Sequence, residues 1–246
     1  MSYSPGRAHA LSHLRPAYLA VDLVLFTVVE GDLHVVMLER SAPPCAGRWV
    51  LPGALLSEPV ALNYAANRVL FDKVGSLDVT LEQAATFADP ERDPRGWVVS
   101  AAFVGAAPAE WLKQFTGIGF EPQLVRVWID EATGKLELSL DGLPVPPGFD
   151  HRAIIRRVLT DLRARLDLSL LPFALLPYTF TLLELQEVHE AVLGTALNKP
   201  LFRKRLLERI FADGTRLEPT GEHKSGPHRP AQYYRRRIAQ KAGIRQ

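Results

Sequence analysis

Apolar residues are spaced along this chain in two different rhythms. From Tyr18 to Val29 the chain is nearly unbroken Val, Leu, Ala and Phe, the composition of a strand covered on both faces. Glu30-Gly31-Asp32 marks a turn and Leu33 to Glu39 resumes the strand pattern, so a hairpin is expected. Pro43 to Pro52 reads as a loop. Between Pro59 and Val74 the apolar positions are Leu62, Ala65, Ala66, Val69 and Leu70, the spacing of an amphipathic helix, with Gly75 placed to end it. Trp97 to Val104 is a further strand, and Val125–Ile129 and Leu136–Leu140 flank Thr133-Gly134 as a second hairpin. After the Pro144–Gly148 break, Arg152 to Leu166 carries Ile154, Ile155, Val158 and Leu162 on one helical side. These elements read as an α+β domain.

Helical spacing takes over after Leu166. Thr181-Leu182-Leu183-Glu184 is a capping box, in which the Thr hydroxyl serves the amide of the glutamate and the glutamate serves the amide of the cap. Leu182, Leu185, Val188 and Val192 form one stripe and Gly194 suits the residue after the helix. Asn198 is placed to cap a second helix with Pro200 in its first turn. That helix is expected to reach about Ala212, with Phe202, Leu206 and Ile210 facing inward and Gly214 ending it. Arg216–Glu222 and Gln232–Arg237 read as two strands joined by a basic tip, Lys224 to Pro230. The division expected is a flexible tail over residues 1–16, a domain over 17–166 and a second over 167–246.

Charge sharpens that division. Of the 29 basic and 27 acidic residues, 13 and 8 fall within 167–246, a balance of +5 against −3 for the remainder. From Lys199 onward all 13 of those bases meet only Glu208, Asp213, Glu218 and Glu222. A basic end on a mildly acidic body points to a polyanion, although a solvated basic face has the same composition. Two capped helices joined by a short turn and followed by a hairpin form a winged helix-turn-helix pattern. The second helix carries Lys199, Arg203, Lys204, Arg205 and Arg209 off its apolar stripe, where such a helix reads base edges and phosphates in a major groove. Arg229 is expected in the adjacent minor groove, and Lys224 and His228 on phosphate.

Other chemistry is sparse. The single cysteine, Cys45, excludes a disulfide framework and a cysteine-based zinc site. No segment is long and apolar enough for a bilayer, and Met1–Pro16 has no apolar signal core. A cytoplasmic protein without membrane contact is expected. Phe87 to Trp97 contains Arg92, Asp93 and Arg95 around a Pro-Gly turn, suited to holding a nucleotide diphosphate through planar guanidinium donors. The same run also suits a surface loop with internal Arg–Asp pairs.

Trp49-Val50-Leu51-Pro52-Gly53-Ala54 before a helix resembles the entry to a Nudix hydrolase box. This chain keeps the box arginine as Arg68, an aliphatic as Leu70 and the closing glycine as Gly75, and closes with Leu77 one residue late. The opening glycine falls on Ala54, the first glutamate on Val60, the glutamate after the arginine on Val69, and the paired metal-binding glutamates on Asp72 and Lys73. An ammonium group repels a divalent cation rather than ligating it. Arg68 and Asp72 are spaced to pair on the helix surface, Glu58 is expected to point elsewhere, and no metal site or ordinary Nudix hydrolysis is expected.

Together with Phe149-Asp150-His151, Phe180-Thr181-Leu182, Glu184-Leu185-Gln186 and Arg229-Pro230-Ala231 before Tyr234-Arg235, these features resemble the Nudix-related transcriptional regulators of NAD metabolism, the NrtR family. The resemblance runs from Pro16 to Arg237. It departs at Pro200 and Leu201, where relatives often carry polar residues. It implies an N-terminal Nudix-like α/β/α sandwich with a mixed sheet and a C-terminal winged helix, in a homodimeric repressor of NAD synthesis or salvage genes. Such a repressor binds a palindromic double-stranded operator, requires no cofactor and senses ADP-ribose or a related NAD-derived nucleotide. The implied effector contacts are Arg40, Trp49, Arg68, Phe87, Arg92, Asp93, Arg95, Asp150 and His151. Asp150 and His151 are also placed to couple the pocket to the following helix. Thr181, Gln186, Tyr234 and Arg235 join the DNA-binding set. A divergent Nudix hydrolase of ADP-ribose or another nucleotide diphosphate is the alternative, and an RNA-binding module fits less well for want of an aromatic platform.

Overall fold

The computed structural model describes residues 13–75, 79–113, 119, 121–224 and 230–238. Strand β1 (Tyr18–Val29) is buried from Ala20 to Thr27, as its apolar run requires. Glu30 and Gly31 both take positive φ, 52° and 83°, which is the backbone of a tight hairpin turn. The turn leads into β2 (Asp32–Glu39), with Val29 opposite Asp32. Two short strands follow: β3 (Trp49–Val50) pairs with β2 and β4 (Gly53–Leu55) with β1. Helix α1 (Leu62–Lys73) ends where the Gly75 amide donates back to Leu70 O.

Next come β5 (Glu82–Phe87), β6 (Val98–Ala106), α2 (Ala109–Lys113), β7 (Gln123–Ile129), β8 (Leu136–Leu140), β9 (Leu143–Pro144) and α3 (His151–Ala164). The sheet runs β5-β6-β1-β2-β7-β8-β9. β1 and β6 are parallel and the other pairs antiparallel, so the sheet is mixed as expected. Alternation along β1 separates two layers. Val21, Leu23 and Leu25 pack with Ala65, Ala66, Val69 and Leu70 of α1. Val24 and Phe26 pack with Ile154, Ile155, Val158 and Leu159 of α3. The result is an α/β/α sandwich.

Beyond it, α4 (Leu171–Ala174), β10 (Phe180–Thr181), α5 (Leu182–Leu193), α6 (Lys199–Leu207), β11 (Thr215–Lys224) and β12 (Ala231–Ile238) form a winged helix-turn-helix with the sheet order β10-β12-β11. The α5 stripe is shared end to end between two cores. Leu182 and Leu185 join Phe173, Phe180, Leu206, Phe211 and Leu217, whereas Val188 and Val192 lie in the same core as α3. Helix α5 therefore packs into both cores.

Three expectations need correction. Helix α1 begins at Leu62, not Pro59. Strand β5 was not expected: Glu82-Gln83-Ala84-Ala85 lacks β-branched residues, and the strand is an edge with an irregular register near Gln83 and Ala85. Helix α6 stops at Leu207, so extending its period to Ile210 fails and that residue is 66% exposed. Phe211 takes the core position instead, edge-on to Phe173 at 4.9 Å between ring centres.

Candidate effector cleft and nucleic-acid interface

A cleft of about 910 Å³ opens over the ends of β1, β2 and β3, with α1 and the 92–95 loop at its sides. That is large enough for a nucleotide. Its floor depends on Gly53. A Cβ there would lie 2.3 Å from Asp22 Oδ1 and 2.8 Å from the Val21 carbonyl, so only glycine lets β4 approach β1 beside the Asp22 carboxylate.

Asp22 anchors a buried polar network. It accepts from Ser100 Oγ at 2.6 Å and from Arg92 Nη2 at 3.4 Å. Arg92 also donates in a two-pronged arrangement to Asp150, Nε at 2.9 Å and Nη2 at 2.7 Å. Such paired geometry is the strong form of an Arg–carboxylate contact. His151, the first residue of α3, accepts the Leu51 amide on Nδ1 at 2.8 Å. Its Nε2 therefore carries the proton and faces Asp22 Oδ1 at 3.7 Å. Burial pushes the His151 pKa below its usual value, outweighing the pull of Asp22 and Asp150.

The rim is aromatic and cationic. Phe149 holds φ at 50°, a conformation that bulky residues rarely adopt and that clusters at functional sites. Its ring lies 5.4 Å from the Arg40 guanidinium carbon and 5.5 Å from that of Arg95. Arg40 is steadied by the Pro44 carbonyl at 2.5 Å, and Arg95 by Asp93 at 2.6 Å. Burial pushes the Asp93 carboxyl up, but hydrogen bonds from Arg95 and its charge hold it below the usual range. Lys73, at the end of α1, lines the cleft; burial and the Arg40 charge lower its pKa against the opposing pull of Asp72.

The cleft thus brings together Arg40, Trp49, Arg92, Asp93, Arg95 and His151 of the expected effector set, with Asp150 braced behind Arg92. Arg92 is only 8% exposed, so it serves as a strut between carboxylates rather than an open phosphate donor. Two expectations fail. Arg68 turns to the outer face, 2.6 Å from Glu58 and 3.8 Å from Asp72, beside a separate shallow depression. The surface pairing of Arg68 with Asp72 matches expectation, and Glu58, expected to point away from the metal-ligand position, pairs with Arg68 outside the cleft. Phe87 packs against the sandwich core rather than lining the cleft. Sequence reading did not single out Asp22, Lys73 or Phe149 as cleft residues. The only advance signals were an acid within an apolar strand, the substituted box position and the Phe149-Asp150-His151 run.

No group of three or more His, Cys, Asp or Glu that could hold a metal ion occurs among the described residues. Asp72 is drawn to Arg68, and Lys73 presents an ammonium at the cleft. The side chains present do not fit the divalent cation of a Nudix centre.

On the winged helix, Thr181 accepts the Glu184 amide while Glu184 accepts the Thr181 amide, which completes the capping box. Asn198 Oδ1 accepts the Leu201 amide at 3.0 Å to start α6. Lys199, Lys204 and Arg205 stand exposed on α6, and Lys204 and Arg205 form no ion pair among the described residues. Arg203 is half-buried, with Nε lacking a hydrogen-bond partner, and Arg235 is half-buried on β12. Three of the remaining expected contacts, Thr181, Gln186 and Tyr234, are corrected. Thr181 is only 3% exposed and Gln186 only 6%, the latter hydrogen-bonded to Glu190. Tyr234 packs against the small core. Lys224 is held by Glu184 at 2.7 Å, tying the wing to the start of α5. Arg209 likewise pairs with Asp167 at 3.6 Å. His228, Arg229 and Leu77 lie outside the described residues.

Residues 172–236 match the NrtR DNA-binding winged helix domain family. The ADPR responsive transcriptional repressor NtrR of Acinetobacter baylyi is 32% identical over 219 residues, which covers 88% of this chain and 81% of that protein. An ADP-ribose pyrophosphatase of Methanocaldococcus jannaschii is 28% identical over 144 residues, 58% of this chain and 73% of its own. The crystal structure of Shewanella oneidensis NrtR complexed with a 27mer DNA matches with a TM-score of 0.70 at 30% identity, covering 89% of this chain and 94% of that one.

Proposed function

The chain belongs to the NrtR family of transcriptional repressors, and from that premise we propose that it represses genes of NAD synthesis or salvage by binding duplex DNA under the control of an ADP-ribose-type nucleotide. The observation that carries this reading is the shared α5 stripe. One end of α5 builds the DNA-reading core and the other lies in the core of the domain that holds the cleft.

DNA is met by α6 and the β11–β12 wing. Exposed Lys199, Lys204 and Arg205, with Arg203 beside them, supply the positive surface. Phosphate contacts position the domain and guanidinium contacts to guanine edges select sequence. Two copies of the chain read a palindromic operator as a homodimer, with half-sites ~34–36 Å apart. A duplex-binding repressor acts where the chromosome lies, which places it in the cytoplasm.

The effector occupies the cleft. Phe149 between Arg40 and Arg95 offers a ring face flanked by guanidinium donors, and the likeness to a repressor named for its ADPR response supports that nucleotide class. The domain is catalytically silent in this reading, which the outward turn of Asp72 and the ammonium of Lys73 support. Nucleotide binding strains or relaxes the Asp22–Arg92–Asp150–His151 network, and His151 begins α3, which packs on α5. An effector that prefers one arrangement of α3 and α5 shifts the population competent for DNA.

Selection from a random duplex library, followed by anisotropy titration of the selected duplex, tests this. The expected result is a dyad-symmetric sequence whose affinity changes at least about tenfold with saturating ADP-ribose. Replacing Lys204 and Arg205 by Ala should reduce the salt slope of binding by about one for each phosphate that the variant no longer neutralises. No enrichment at low ionic strength refutes the DNA reading; unchanged affinity with nucleotide refutes the effector.

A further inference from the structure

We propose that the chain carries a second ligand site, a cavity between α3, α5 and α6 that takes a small aromatic carboxylate bearing a hydrogen-bond donor on its ring. The cavity holds about 210 Å³ and shares no lining residue with the effector cleft, so the proposal does not rest on the reading of that cleft.

Leu197, Leu201 and Phe202 make part of the wall apolar. About seven waters would fill the volume at roughly 30 Å³ each, with few polar partners along those side chains. A single flat ring suits the same space and the Phe202 face. His189 supplies a polar group at the wall. It is buried, and its Nδ1 meets the Leu185 carbonyl oxygen at 2.8 Å. A carbonyl only accepts, so Nδ1 carries the proton and Nε2 is left as an acceptor. Nε2 has no hydrogen-bond partner among the described residues. Phe202, 4.9 Å away between ring centres and edge-on, steadies the imidazole. Burial lowers the His189 pKa, which keeps Nε2 unprotonated. An acceptor at a cavity wall calls for a donor on the ligand.

Charge selects the other end of the ligand. Arg163, Arg205 and Arg209 line the cavity against a single acid, Asp167, and Asp167 pairs with Arg209 at 3.6 Å. Arg163 commits its Nε to the Val192 carbonyl oxygen. Neither Arg163 nor Arg205 forms an ion pair among the described residues. Their remaining guanidinium nitrogens suit one carboxylate, the group that arginine holds in paired, charged hydrogen bonds.

The test is calorimetric titration of the full chain with benzoate, its meta and para hydroxy derivatives and the uncharged benzamide. The better hydroxybenzoate should bind with a Kd of about 1 mM or tighter, and at least about tenfold better than benzamide. Arg205→Gln should weaken it about tenfold. Leu201→Trp, which fills the cavity from an exposed position, should abolish binding. The hydroxyl should raise affinity about fivefold over benzoate in the wild type. That preference, and not the binding of benzoate itself, should vanish in His189→Leu, whereas damage to the fold would lower both. Arg126→Gln removes an exposed arginine from β7 and serves as the charge-matched control, which should bind as wild type. No saturable binding of any of the carboxylates, or undiminished binding by Leu201→Trp, overturns the proposal. So does equal weakening in Arg205→Gln and Arg126→Gln, or a hydroxyl preference that survives in His189→Leu.

Discussion

Arg163, in the last turn of α3, donates its Nε to the carbonyl oxygen of Val192, 2.7 Å away at the end of α5. The guanidinium meets an end of α5 whose carbonyls have lost their helical partners, where positive charge is favoured. Gly194 leaves room for it, because a Cβ there would stand 3.0 Å from Arg163 Nη2. This hydrogen bond links the domain that holds the cleft to the first helix of the DNA reader. Arg163→Ala should lower unfolding free energy by about 1–3 kcal/mol, the usual cost of removing a charged hydrogen bond. It should also shrink the factor by which ADP-ribose changes duplex affinity. Anisotropy titrations of the variant with and without nucleotide measure that factor, and an undiminished value would remove Arg163 from the coupling.

Thr181 separates a structural role from a DNA contact. Its side chain is buried in the capping box, so Thr181→Ala should cost about 1 kcal/mol of stability while Thr181→Ser keeps most of it. Duplex affinity measured well below the unfolding transition should hold within about twofold, since a residue only 3% exposed offers its hydroxyl to neither base nor phosphate. A large loss of affinity in a fully folded variant would restore Thr181 to the DNA-binding set.

Arg92 stands between two carboxylates. Arg92→Met leaves Asp22 and Asp150 without their shared cation in a largely buried setting, which should cost about 3–5 kcal/mol. Combining it with Asp150→Asn should return part of that loss, because one uncompensated charge goes as well. Urea unfolding of the single and double variants gives both numbers; a single variant as stable as wild type would contradict the strut.

How far the fold and site were legible depends on distance along the chain. The capping box joins Thr181 to Glu184, three residues on, and the β1–β2 turn is similarly local, so pattern alone found them. Arg92 was visible as an arginine near acids, but its partners Asp150 and Asp22 lie 58 and 70 residues away. No periodicity reveals that its charge is already spent. Phe149 depends on a backbone conformation that residue type does not signal. The end of α6 was misplaced because Ile210 continues the apolar period, whereas packing of Phe211 on Phe173 decides where the helix stops.

Acid should destabilise the fold before ordinary carboxylates titrate. Burial holds both His151 and His189 below their usual pKa. The unfolded chain binds their protons first, so stability is full above the unfolded value near 6.5 and falls as pH drops below it, by up to about 1.4 kcal/mol per pH unit for each histidine. Urea unfolding between about pH 7.5 and about pH 5.5 reads this slope, and His189→Gln should remove one histidine's share. A slope unchanged by that substitution would contradict a neutral buried imidazole.

The most direct test of coupling between cleft and DNA reader is its reciprocity. The affinity for ADP-ribose should be measured calorimetrically on the free protein and on the protein saturated with its selected duplex. Linkage requires the two affinities to differ by the same factor by which ADP-ribose alters duplex affinity, about tenfold or more. Equal ADP-ribose affinity in both states would show that the cleft and the winged helix act independently.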